Sequence, residues 1–78
     1  MIDMRTQQII FKLAISAEAF LAVYKGHAKN ISTIAVDGRR LEFSAEKVKP
    51  FLTRAGVYGT FEMELGEGHK FIAVRRLS

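Results

Sequence analysis

The stretch VYGTFEMEL, residues 57–65, alternates apolar and polar side chains along most of its length. A period of two is typical of a β-strand with one face in the core and the other in solvent. Phe61 and Met63 are therefore predicted to face inward, and Glu62 and Glu64 outward. A chain built around this stretch must form a sheet that is covered on one side.

Strand patterns recur along the sequence, and one helix interrupts them. The other predicted strands are QIIFKLAI (8–15), NISTIAV (30–36), the stretch after Asp37-Gly38, and KFIAVRRL (70–77). Ser16 is a predicted helix N-cap because its hydroxyl can accept from free backbone N–H groups. With Gly26 as a natural residue just past the end, the helix is predicted over residues 17–25. Its apolar face comprises Ala17, Phe20, Leu21, Tyr24 and Ala28.

The Asp37-Gly38 pair predicts a β-hairpin with a two-residue type I′ turn. That turn places Val36 opposite Arg39 and Ala35 opposite Arg40, and the pairing continues residue by residue along both strands. The side chains then expected on the buried face are Ile34, Val36, Leu41 and Phe43.

The last two strands are predicted to form a second hairpin. A loop of two or four residues pairs Met63 with Ile72 and Phe61 with Val74. Phe71 then falls on the outer face, where an aromatic side chain calls for a cover or a partner.

The connection between the two hairpins contains a short helix and two special glycines. Ser44 could cap a helix over residues 45–49, and Pro50 limits it to about one turn because it disfavours helical geometry at the preceding residue. Gly56 is predicted to adopt an unusual backbone angle. Gly59, on the inner face of its strand, is predicted to mark a bend or bulge.

The pattern predicts one α+β domain, mainly β, over residues 7–78, with residues 1–6 as a flexible N-terminal segment. The element order is β-α-β-β-(short helix)-β-β. Five short strands favour a strongly bent antiparallel sheet or a small SH3-like or Sm-like barrel, with an OB-like barrel as second choice. An open sheet with the helix across one face fits equally well. The pairing of the first strand stays open because the link to the second is long enough for a parallel crossover.

Charge is distributed unevenly along the chain. The net charge is +4, and residues 25–54 alone hold seven Lys or Arg against three Asp or Glu, a difference equal to that total. Such asymmetry is an argument about partners. The candidate anion- or nucleic-acid-binding surface consists of Arg39, Arg40, Lys47, Lys49 and Arg54.

The sequence offers little for catalysis. The two histidines, His27 and His69, lie in predicted loops without a partner at a recognised spacing. Glu62 and Glu64 are better explained by cross-strand pairing with Arg75. No catalytic, cofactor-binding or metal site is predicted, and the protein is expected not to be an enzyme.

Compartment and stability follow from what the chain lacks. There is no Cys, so no disulfide can stabilise the fold, and a homodimer is plausible. No apolar run approaches the roughly 20 residues of a membrane span, and the first residues lack a secretory signal. A cytoplasmic protein without a membrane partner is expected.

Four blocks of the chain carry a resemblance to a known family. They are ISAEAFLAVYKGHAKNI (15–31), AVDGRRLEF (35–43), KVKPFLTRAGVYGTFEM (47–63) and KFIAVRRL (70–77). In this order they resemble a bacterial family of small proteins, about seventy residues long, catalogued as a domain of unknown function. The resemblance implies a bacterial, single-domain, cytoplasmic protein and brings no activity, cofactor or ligand with it.

Two functions remain open at this point. The first is a small non-enzymatic binding module whose basic surface contacts RNA or single-stranded DNA, as small β-barrels commonly do through basic loops. The alternative is a protein-interaction or self-associating module, indicated by the small size and by a possible open sheet edge.

Overall fold

A computed structural model describes residues 6–26 and 29–78. The elements in chain order are β1 (Gln7–Ser16), α1 (Ala17–Lys25), β2 (Asn30–Ile34), β3 (Arg40–Ser44), β4 (Gly56–Leu65) and β5 (Phe71–Arg76). Three short 3₁₀ turns cover Ala45–Lys47, Lys49–Phe51 and Glu67–His69. Residues 1–5 of the predicted flexible segment, and residues 27 and 28, lie outside the described residues. The chain is mainly β with five strands and one helix, as predicted.

The strands form two antiparallel sheets that a single bridge connects. In the three-stranded sheet β4 lies between β1 and β5, and in the two-stranded sheet β2 pairs with β3. An isolated bridge joins Phe11 of β1 to Ala35 just after β2, and the Val36 N–H donates to the Ile10 carbonyl at 2.8 Å. The pairing of β1, left open by the sequence, is antiparallel to β4. Among the described residues, β3 and β5 each have one neighbouring strand, so the predicted barrel does not close.

Aromatic rings hold the two sheets together. The Phe11 ring lies between those of Phe43 and Phe61, with centroids 5.3 and 5.8 Å away, and Phe51 meets the edge of Phe61 at 5.1 Å. Such tilted and offset contacts add to the free energy of burial. Every fully buried side chain among the described residues is apolar. The core therefore depends on shape and apolar area, with no internal polar network.

The helix prediction is confirmed in its bounds and its cap. The Ser16 hydroxyl accepts from the Ala19 N–H at 3.1 Å, and α1 buries Phe20 completely. The prediction that Leu21 lies on the buried apolar face is wrong. Its side chain is 40% exposed because so short a helix meets the sheet along a narrow stripe. Within the described ranges, no helix has the length and apolar character that crossing a bilayer would need.

The register predicted for the first hairpin is wrong by one residue. The loop has three residues, since the Ala35 N–H donates to the Arg39 carbonyl at 2.8 Å and the Gly38 N–H to the Ala35 carbonyl at 2.9 Å. With Gly38 at a φ of 93°, this is the geometry of a type I turn followed by a glycine bulge. Thr33 consequently pairs with Leu41.

The shifted register changes which side chains of β2 are buried. Ile31 and Ala35 face the core, whereas Ile34 and Val36, predicted inward, are 57% and 64% exposed. A register shift of one residue turns every side chain of a strand to the opposite face of the sheet. Ile34 and Val36 are therefore both exposed instead of buried. The predicted burial of the β3 side chains Leu41 and Phe43 is confirmed. Ala35 suits its inward position because the backbones of the two sheets approach at its bridge.

The second hairpin also differs from its prediction. Met63 pairs with Val74 and Leu65 with Phe71, because the register shifts at Glu64 and Leu65. The predicted pairs Met63 with Ile72 and Phe61 with Val74 are therefore wrong. A bulge inserts one residue and reverses the side-chain faces beyond it. Phe71, predicted outward, consequently packs against the core and is half-buried, while Ile72 is 49% exposed.

The connection from β3 to β4 combines two 3₁₀ turns with a glycine. The predicted helix over residues 45–49 is instead two turns on either side of Val48, which is fully buried. The special backbone at Gly56 is confirmed by a φ of 134°. A Cβ atom at this position would lie 2.0 Å from the Ile15 carbonyl oxygen, so the first residue of β4 must be glycine for β1 to approach.

We expect Gly56→Ala to lower the free energy of unfolding by about 3 kcal/mol or more, because it adds a steric clash to backbone strain. Gly68→Ala is the matched control, since Gly68 also has a positive φ but its Cβ would meet nothing within 4 Å. That control should cost about 1 kcal/mol. Urea denaturation measures both, and equal losses would contradict the close approach at Gly56.

Candidate functional site

A cleft of about 450 Å³ runs along the free edge of β3. Its lining includes every residue of β3, although successive side chains of a strand point to opposite faces. A cavity that contacts all of them must follow the edge of the strand and not one of its faces. We call it the edge cleft; its lining residues are Ile9, Arg39, Arg40, Leu41, Glu42, Phe43, Ser44, Lys47, Met63, Leu65, His69 and Phe71.

The backbone of β3 presents unpaired polar groups on the side away from β2. Antiparallel pairs alternate between hydrogen-bonded and non-hydrogen-bonded positions. Arg39 accepts from Ala35, and Ala45 donates to Lys29 at 2.7 Å, so odd-numbered positions of β3 bond towards β2. The N–H and C=O groups of Arg40 and Glu42 therefore point away from β2, along the edge cleft.

Arg40 and Glu42 also carry the exposed side chains of this edge. Both are exposed, whereas Leu41 between them is buried. Neither Arg40 nor Glu42 forms an ion pair with any other described residue. The edge thus offers one free cation and one free anion, two residues apart on the same face.

Arg39, beside Arg40, is already neutralised locally. Its Nε atom lies 2.6 Å from Asp37 Oδ2, and its Nη1 donates to Gln7 Oε1 at 3.4 Å. The hydrogen bond from the Arg39 backbone N–H to the Asp37 carboxylate, together with the guanidinium, lowers the pKa of Asp37. Arg39 therefore organises the hairpin loop more than it offers a free charge to a ligand.

Lys47 closes one end of the edge cleft. Its Nζ atom lies 4.3 Å from the centroid of the Phe71 ring, which links the turn after β3 to the start of β5. Cation–π contacts at exposed sites contribute about 0.5–1 kcal/mol. Below this contact, Ile9, Met63 and Leu65 supply an apolar floor.

The structure divides the predicted basic surface. Three of its members, Arg39, Arg40 and Lys47, line the edge cleft, but Lys49 and Arg54 do not. The Lys49 Nζ donates to the Tyr24 hydroxyl at 3.0 Å, a hydrogen bond that raises the pKa of Lys49. The binding role of the surface stays a prediction, now concentrated on the three residues of the cleft.

Arg54 lies far from the edge cleft. It belongs to the turn in which Thr53 and Gly56 bond to each other, and Gly56 pairs with Ser16 at one end of the β1–β4 ladder. The cleft residue Ile9 lies seven residues back along β1. At about 3.4 Å per residue, roughly 24 Å of strand separates Ile9 from the end of the ladder beside this turn.

The residues weighed for catalysis have structural roles or lie apart. Arg75 contacts both Glu62 at 2.6 Å and Glu64 at 3.1 Å, which confirms the predicted cross-strand pairing and raises the pKa of Arg75. His69 lines the edge cleft at a φ of 64°, and His27 lies outside the described residues. The part of the chain that the structure describes contains no group of three or more His, Cys, Asp or Glu placed to hold a metal ion.

Sequence reasoning did not find the edge cleft itself. Met63 was predicted only as an inward-facing core residue, and it lies in the core together with Ile9 and Leu65 while all three also line the cleft. The available signal was Phe71, whose predicted outward position called for a partner. That partner proves to be the core on one side and Lys47 on the other.

Comparison with known proteins identifies a family and no individual relative. The family model described as "Protein of unknown function (DUF2835)" matches residues 7–77 of the 78-residue chain. No curated protein and no solved structure matches the chain. The match spans β1 to the end of β5. The chain belongs to the DUF2835 family.

Proposed function

We propose that this domain is a non-enzymatic interaction module whose binding site is the open edge of β3 within the edge cleft. The observation that carries the proposal is the pair of unpaired backbone positions, Arg40 and Glu42, beside a cleft with an apolar floor. Open strand edges bind extended polypeptides through main-chain hydrogen bonds, and neighbouring pockets select the side chains. A volume of about 450 Å³ lies within the range of ligand-binding sites.

The lining of the edge cleft favours binding over catalysis. Glu42 and His69 are the carboxylate and the imidazole of its described lining, and no hydrogen bond joins them. General acid–base catalysis needs such a group to be held and oriented by a partner. The site therefore offers hydrogen bonds, charge and apolar contact, which together suffice for recognition.

Glu42→Pro tests the proposed binding edge selectively. Because the Glu42 N–H points away from β2, proline should leave the β2–β3 ladder intact and remove one outward donor. We expect nonapeptides selected from a random displayed library on the wild-type protein to bind this variant at least about tenfold more weakly. Fluorescence anisotropy measures the affinity, and circular dichroism verifies the fold. Selected peptides that bind both proteins equally would contradict the proposal.

Nucleic-acid binding is a second candidate, which the position of Arg40 and Lys47 in one cleft favours. Phosphate contacts release counterions, so the affinity for RNA or single-stranded DNA should fall steeply with salt. In this case Arg40→Glu should weaken binding, and Glu42→Arg should strengthen it.

Arg54→Glu is the matched control for the nucleic-acid candidate, since it makes the same change in net charge at a residue that does not line the edge cleft. Anisotropy titrations with a labelled single-stranded oligonucleotide at low salt would distinguish the cleft from overall charge. Equal weakening by Arg40→Glu and Arg54→Glu would exclude the cleft as the nucleic-acid site, and so would an absence of binding by the wild-type protein.

A further inference from the structure

Building on the proposed function, we propose that the partner of the β3 edge is a second copy of this chain. The two β3 strands would pair antiparallel about a twofold axis at Leu41. Homodimers with such an axis use the same surface patch on both subunits, so the patch must be complementary to itself. The β3 edge meets this condition in its backbone and in its charges.

The backbone limits the possible registers. Only positions whose N–H and C=O groups point away from β2 can hydrogen-bond across the new edge, and these are the even-numbered positions Arg40, Glu42 and Ser44. Three antiparallel registers pair the two charged positions, Arg40 and Glu42, with themselves or with each other. They place Arg40 opposite Arg40, Glu42 opposite Glu42, or Arg40 opposite Glu42 of the second copy.

Charge selects one of the three registers. Cross-strand neighbours on the same face attract when their charges are opposite and repel when they are alike. Only the register centred on Leu41 places Arg40 opposite Glu42 in both directions, which gives two ion pairs and two hydrogen-bonded residue pairs. Both side chains are exposed and have no other ion-pair partner among the described residues.

The inner face of this arrangement is apolar. Leu41 would meet Leu41 of the second copy at the closely spaced, non-hydrogen-bonded position of the ladder. That contact lies over the floor formed by Ile9, Met63 and Leu65. The edge cleft leaves space beside β3, so a second strand can approach without displacing a strand of the same chain.

The same observations argue against nucleic acid as the occupant of this edge. Proteins that bind single strands stack bases on exposed aromatic rings. Of the aromatic residues in the cleft, Phe43 is buried and Phe71 has Lys47 over its ring. The free charges of β3 have opposite signs. Antiparallel pairing with a second copy centred on Leu41 uses both of them, whereas the negatively charged backbone of a nucleic acid would be repelled by Glu42.

Charge exchange tests both the partner and the register. Five-residue edges form a small interface, so sedimentation velocity should show a reversible dimer over about 10 µM to 1 mM. Arg40→Glu and Glu42→Arg should each weaken self-association about tenfold, because each places like charges opposite one another. The double variant R40E/E42R should recover the wild-type affinity, since both pairs are then reversed.

A mixture of the two single variants provides the sharpest discrimination. In the mixed dimer, both acidic positions of R40E face both basic positions of E42R, so the mixture should associate at least as well as the wild type. Arg54→Glu should leave the dimer unchanged. A wild-type protein that stays monomeric at 1 mM, or variants that do not complement each other, would overturn the inference.

The outcomes for the dimer and for the proposed function can be told apart. A monomeric protein that still binds selected peptides, and loses them in Glu42→Pro, retains the interaction site and loses only the second copy as its partner. An Arg40→Glu variant that dimerises as the wild type does would overturn the β3 pairing. If the same variant binds no oligonucleotide while the wild-type protein binds it, the nucleic-acid candidate is supported instead.

Discussion

The bridge between Phe11 and Ala35 is the contact on which the rest of the architecture depends. It is the one described place where the backbones of the two sheets pair, and the adjacent bond from Val36 to Ile10 fixes it in register. Because the pairing stops there, the β2–β3 hairpin is held to β1 near its loop and to the core by its inward side chains. Phe11 at the bridge contacts Phe43 and Phe61, so the same residue joins the sheets and centres the core.

The open edge of β3 is a consequence of that arrangement. The β2–β3 hairpin is joined to β1 through the end of β2, which leaves the outer edge of β3 without a neighbouring strand. On that side, Lys47 after β3 contacts the ring of Phe71 in β5 through a cation–π interaction. Exposed strand edges are often protected by charged side chains, especially Lys. Here Arg40 and Glu42 have opposite signs, so the proposed pairing centred on Leu41 would place each of them opposite its counter-ion in the second copy.

The sequence predicted local structure well and long-range pairing less well. The Ser16 cap, the helix that follows it and the inward positions of Phe61 and Met63 depend on patterns within a few residues, and the structure confirms them. Both hairpin registers were wrong because of extra residues: one in the three-residue loop that ends at Gly38, and two in the second hairpin, whose loop has five residues and whose strand β5 bulges at Ile72. The interactions that favour these choices, such as the bridge at Ala35, come from residues distant in sequence.

The same reasoning explains how much of the candidate site could be predicted. Net charge along the chain identified Arg39, Arg40 and Lys47 without any knowledge of their positions in space. Composition could not separate them from Lys49 and Arg54, since that division depends on where the 3₁₀ turns and β4 carry the chain. Composition also could not show that Glu42 lines the candidate site. The site was chosen by its excess of positive charge, and a carboxylate reduces that excess.

Residue-resolved amide hydrogen exchange at low protein concentration tests most directly whether the edge of β3 is open. We expect rapid exchange at Arg40 and Glu42, whose N–H groups point away from β2, and strong protection at Leu41 and Phe43, whose N–H groups bond to β2. Equal protection of all four amides would show that β3 is covered on both sides and that its edge is not open.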